Sequence, residues 1–129
     1  MLAPAASELV ALNPEEHQRH AWLSPARVLE RHAAGEMTLV PPTWVTLHHL
    51  VGAATVVQAL AEARAGSPFV YNTHLLMPRD GTRPSGVMWA GDEAYPATEG
   101  AAAGTKTGPG ARHRLTMSVR PWVFECTVL

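Results

Sequence analysis

The sequence predicts an α+β fold in a single domain spanning residues 1–129, with two helices at about 25–34 and 43–65 and short strands before and after them. Three observations predict it. Apolar residues recur at helical spacing in two proline-headed segments, β-forming runs crowd the chain after Pro68, and small polar turns separate those runs. Each element has its own local cause.

Ser24 followed by Pro25 is a helix start, with serine as N-cap and proline at the first helical position, where its missing N–H is not needed. Val28 and Leu29 fall on one side, Arg27, Glu30 and Arg31 on the other, and Gly35 is a stop signal. Pro41, Pro42 and Thr43 restrict the approach to a second helix. From Trp44 the apolar residues Leu47, Leu50, Val51, Ala54, Val57 and Ala61 form one stripe, which Gly66 and Pro68 terminate. Before the first helix, "ASELVAL" (6–12) and "HAWLS" (20–24) read as short strands around a polar turn. After the second, "FVYNTHLLM", "VMWAG", "RHRLTMSV" and "WVFECTVL" are the strand candidates. Residues 97–111 read as a flexible small-residue loop.

The composition is globular: 47% hydrophobic, 16% charged, with a formal net charge of -1. Nine arginines and one lysine are scattered, so no basic footprint for nucleic acid appears. The apolar segment 44–61 is interrupted by His48, His49, Thr46, Thr55 and Gln58, which argues against a membrane span. The start has no positive n-region and carries Glu8, so it does not read as a signal peptide. One cysteine, Cys126, excludes an internal disulfide and a multi-cysteine zinc site. A cytoplasmic setting is the expectation.

Few residues suggest chemistry. His17 and His20, beside Glu15 and Glu16, have a spacing that a helix could use for a divalent metal, but Pro14 and the polarity favour a solvated turn with no third ligand. His48 and His49 are adjacent, so on a helix they diverge by about 100° and share an ion poorly. One is expected to flank the core and the other to face solvent. No nucleophile elbow, phosphate loop or dinucleotide fingerprint occurs, and Gly104, Gly108 and Gly110 read as a connector. If "ARHRL" is a strand, Arg112 and Arg114 share a face and could meet an anionic ligand; a charged edge strand is the plainer alternative.

Trp22, Leu23, Ser24, Pro25, Gly35, Glu36, Pro41, Pro42 and Thr43 stand in an order and spacing that resembles a branch of the Nudix hydrolases, the longer members related to the peroxisomal coenzyme A diphosphatases. "WAGDEAYP" with "RHRL" resembles that family's C-terminal tail, where a Pro-Gly-Asp turn precedes an arginine-rich strand; Ala90 stands here in place of the proline. The resemblance covers residues 20–115 and is strongest over 20–50. It implies a partial Nudix-like α/β/α sandwich and, for a complete member, Mg²⁺- or Mn²⁺-dependent hydrolysis of a nucleoside diphosphate derivative or acyl-coenzyme A. The box G-x5-E-x7-R-E-U-x-E-E-x-G-U that carries this chemistry is absent: there is no Arg-Glu dipeptide, and the Glu15–Glu16 pair has no box arginine before it. No catalytic residue, metal site or cofactor is therefore assigned to this chain. Substrate contacts, to a nucleotide or coenzyme A-type ligand, are assigned to Arg112 and Arg114.

Two readings follow. In one, the chain is the C-terminal portion of a Nudix hydrolase, inactive alone. In the other, it is a non-catalytic α+β binding or dimerisation module, with a homodimer covering open sheet edges.

Overall fold

A computed structural model of the chain describes residues 11, 13–15, 20–96 and 108–127. They form a mixed α+β fold with three helices, α1 (Pro25–Ala33), α2 (Pro41–Leu50) and α3 (Val56–Ala65). Four strands follow: β1 (His74–Leu76), β2 (Gly86–Met88), β3 (His113–Thr116) and β4 (Val123–Cys126). The strands make one antiparallel meander in the order β1-β2-β3-β4. Among the described helices none is long and apolar enough to cross a membrane.

Helix α1 starts and stops where its residues require. The Ser24 side chain accepts from the Arg27 N–H at 3.3 Å, and Pro25 occupies the first turn. At the other end Gly35 takes φ 78°, a conformation that suits glycine. Its N–H bonds to His32 O at 3.0 Å, and that of Glu36 to Arg31 O at 2.9 Å, so the last carbonyls are satisfied.

The long helix expected over 43–65 is two helices. The first begins at Pro41, because both prolines sit in the opening turn, where no backbone N–H needs an intrahelical acceptor. It ends at Leu50, and α3 restarts at Val56 with Thr55 as its cap. Thr55 Oγ1 accepts from the Gln58 N–H at 3.1 Å, and Gln58 Oε1 reaches back to the Ala54 N–H at 3.0 Å. That T-x-x-Q arrangement is a variant of the capping box, and it competes successfully with helix continuation beside Gly52. The single apolar stripe is broken accordingly: Val57 is 77% exposed, and none of the ten α3 residues is buried.

The expected strand over 20–24 is irregular chain: among the described residues it has no neighbour to pair with, and Trp22 stays exposed. The strand expected at 6–12 and the histidine-bearing stretch 16–19 lie outside the described residues. So does 97–107 of the expected loop, whose end is anchored by the Gly110 N–H on Glu93 Oε2 at 2.6 Å. Three of the four later strand expectations contain an observed strand, shorter than the run that signalled it, while "VMWAG" (87–91) overlaps β2 only at Val87 and Met88, because β2 begins one residue earlier, at Gly86.

The core lies between α2 and one face of the sheet. Trp44 and Val45 of α2 meet Val87, Trp89 and Leu115, with Leu29, Trp122 and Phe124 packed around them. Alternation along β3 puts His113 and Leu115 inward and Arg114 and Thr116 toward the opposite face. Arg120, in the β3–β4 turn, donates to His32 O at 3.0 Å and ties that turn to α1.

Strand pairing also fixes one glycine by space alone. A Cβ on Gly86 would sit 2.0 Å from the carbonyl oxygen of Leu115, a backbone atom that cannot yield. Gly86→Ala is therefore expected to lower stability by about 3 kcal/mol or more, in the upper range of single-site effects. Urea unfolding followed by circular dichroism checks this, and an unchanged midpoint would contradict the pairing of β2 with β3.

Candidate functional site

Two groupings of functional side chains occur, on opposite faces of the sheet. The outer one is electrostatic. After β2 the chain turns at Gly91, where φ is 98°, and delivers Asp92 beneath the start of β3. Asp92 Oδ2 accepts from Arg114 Nε at 2.7 Å and from the His113 N–H at 3.0 Å. Its Oδ1 accepts from Arg114 Nη2 and from the Ala94 N–H at 3.0 Å. The carboxylate side chain has no solvent exposure and Arg114 has 15%. Beside it Arg112 pairs with Glu93, which also holds Gly110.

This answers what Arg112 and Arg114 face. The structure brings both to one side, yet each guanidinium meets a carboxylate of the same chain, so the four groups are neutral together. Burial alone would raise the Asp92 pKa. The Arg114 hydrogen bonds, followed by the N–H groups of His113 and Ala94, outweigh that and hold it below the usual carboxylate range.

The inner grouping surrounds the two adjacent histidines of α2. Both pack against Phe124, with ring centroids 5.3 Å away for His48 and 5.4 Å for His49. His48 also stacks on Trp44 at 5.1 Å. The expected division into a core histidine and a solvent histidine does not occur: both are solvent-exposed and flank one aromatic ring. His49 Nε2 meets Tyr71 OH at 3.4 Å. Below them an apolar cavity of about 220 Å³ opens between α2 and β2. Pro42, Val45 and Thr46 form its helical side; Thr73 and Trp89 close the sheet side.

Deeper still, His113 is fully buried among Phe69, Tyr71, Trp89 and Phe124. Its Nδ1 lies 2.8 Å from Ala90 O; a carbonyl only accepts, so Nδ1 carries the proton and the neutral ring leaves Nε2 bare. Among the described residues that Nε2 has no hydrogen-bond partner, nor has Nδ1 of the buried His32. Burial pushes both histidines down from their ordinary pKa; Arg120 adds to this for His32, while Ala90 and Asp92 oppose it for His113. Cys126, half-buried on β4, stands opposite His113 in the ladder. Among the described residues no three His, Cys, Asp or Glu converge in a way that could hold a metal ion.

Of the residues lining the inner cavity, sequence reasoning singled out His49 as candidate chemistry and Pro42 as a helix start, but not Tyr71 or Thr73, which carry no motif. Asp92 was signalled more directly, by a Gly-Asp turn preceding an arginine-bearing strand. No family model matches this chain, and no curated protein or solved structure is significantly similar to it.

The pKa directions fix the pH response. Histidines with depressed folded pKa contribute stability that is whole above the unfolded value near 6.5 and is lost as pH falls below it. Asp92, also depressed, contributes above the unfolded carboxylate value and loses that contribution as pH falls through its folded value. The urea midpoint is therefore expected to fall from pH 7.5 to 5.5, and again below about pH 4. Arg114→Met, which leaves a buried carboxylate unpaired, is expected to cost about 3–5 kcal/mol at pH 7. A flat pH profile between 7.5 and 5.5 would show that His32 and His113 are not buried as neutral groups.

Proposed function

We propose that this chain is the C-terminal portion of a Nudix hydrolase working in the cytoplasm, and that it has no hydrolase activity alone. The observation that supports this best is the Asp92–Arg114 pair. The two stretches that resemble the family's tail, "WAGDEAYP" and "RHRL", are tied by a buried two-bond ion pair, as parts of one device would be. The other stretches of the resemblance also fall on joints of the fold: Ser24–Pro25 opens α1, Gly35–Glu36 closes it, and Pro41–Pro42 opens α2.

The parent would hydrolyse a pyrophosphate bond in a nucleoside diphosphate derivative or acyl-coenzyme A, with Mg²⁺ or Mn²⁺ held by glutamates of the Nudix box. The residues present here do not fit that ion. Asp92 and Glu93, the adjacent acids, already have their oxygens on Arg114, Arg112 and backbone N–H groups. In the parent, an anionic ligand would reach Arg112 by taking the place of Glu93. Arg114, buried against Asp92, would orient the site from below.

The second reading, a non-catalytic binding module, is favoured by the apolar cavity under α2. A turnover assay tests the claim, common to both readings, that this chain alone is not catalytic. The purified chain with ADP-ribose or coenzyme A and Mg²⁺ is expected to release no product above the buffer rate. Sustained, metal-dependent release would overturn the assignment of the chemistry to residues outside this chain. An in-frame upstream sequence lacking a Nudix box would remove the family assignment itself.

A further inference from the structure

The cavity under α2 has a chemistry of its own, distinct from that of a phosphate ester. Its volume is about 220 Å³, more than the roughly 150 Å³ of an engineered cavity that takes up benzene and too small for a nucleotide. No carboxylate, lysine or arginine lines it. Tyr71 and Trp89 stand at 89° to one another with centroids 5.2 Å apart, so a flat ring lying on one would present its edge to the other.

The polar groups at the cavity are few and incompletely used. Thr73 Oγ1 accepts the Trp89 indole N–H at 2.9 Å, and its own proton, on a solvent-exposed residue, is free for water or a ligand. Tyr71 OH and His49 Nε2, at 3.4 Å, are further apart than a good O–H···N bond. A ligand hydroxyl in the cavity would accept from Thr73 or bond to the Tyr71–His49 pair in place of water. Thr46, on the helical wall, already donates to Pro42 O at 2.9 Å and has no further proton to give.

We propose that this cavity is a binding site for a neutral, single-ring aromatic carrying one hydroxyl group, a phenol. The ring fills the space between Val45, Tyr71 and Trp89, and the hydroxyl is held by Thr73 and the His49–Tyr71 pair. Carboxylates are excluded, because the walls offer no cation to replace their hydration. This site is independent of any Nudix ancestry: it lies on the inner face of the sheet, away from Arg112 and Arg114.

The test uses the full chain at pH 7.5, phenol as probe, and the four tryptophan indole N–H resonances as reporters. Phenol is expected to bind saturably at one site and shift the Trp89 resonance, assigned through Trp89→Phe. Benzoate is expected to bind at least tenfold more weakly, and toluene, which lacks the hydroxyl, several-fold more weakly. Thr46→Phe, at an exposed helix position, fills the cavity and is expected to weaken phenol at least tenfold while circular dichroism stays native. Should that variant fail to fold, His49→Leu serves in its place and should abolish the preference for phenol over toluene. Absence of saturation up to the solubility of phenol, equal binding of benzoate, or an unaltered affinity in the folded variants would each overturn the proposal.

Discussion

The buried carboxylate of Asp92 is the constraint on which the sheet depends. It accepts four hydrogen bonds from three sources: the Arg114 guanidinium and the N–H groups of His113 and Ala94. Those partners belong to the turn after β2 and to the first residues of β3, two stretches separated in sequence by the long small-residue segment. An ion pair in this position gives little net stabilisation, since desolvation opposes its Coulomb attraction. Its contribution is register. With Asp92 seated under His113, Trp89 N–H meets His113 O, and His113 and Leu115 must then point inward.

That register fills the inner face with aromatic rings. Trp44, Trp89, Trp122 and Phe124 supply most of the bulk, and four histidines are packed among them. A neutral imidazole in such surroundings behaves as a flat ring with one polar edge. His113 satisfies that edge at Ala90 O and leaves its other nitrogen bare, which is tolerable only while the proton stays off it. On the inner face the buried His32 and His113 are therefore held neutral, while the outer face pairs Arg112 with Glu93 and Arg114 with Asp92. Whatever binds to this chain meets one of two very different surfaces.

Much of this was legible in the residues. The α+β class, the start and stop of the first helix and the position of each later strand follow from caps, prolines and β-forming runs. The division of the second helix was also written in the sequence, as Thr55 and Gln58 flanking a break near Gly52. A continuous apolar stripe drew attention away from it, because periodicity counts residues and does not weigh a cap against one more helical turn. "HAWLS" shows the converse. Its composition suits a strand, but a strand exists only with a neighbour, and among the described residues none adjoins 20–24. The candidate site was legible only as charge: Arg112 and Arg114 on one side of a strand. That both would be answered by Asp92 and Glu93 depended on how the chain folds back over some twenty residues, which no local pattern records.

The helix α3 carries a consequence for how the molecule comes apart. Its ten residues bury no side chain, and it is attached through a polar cap at Thr55 and a glycine at Gly66. An isolated helix of that length is marginal in water, since nucleation is costly and few bonds repay it. Helix α3 is therefore expected to open before α1, α2 and the sheet, whose shared core holds them together. Its fluctuation leaves the inner core intact but unroofs the groove it shares with Leu50, Phe69 and Tyr71.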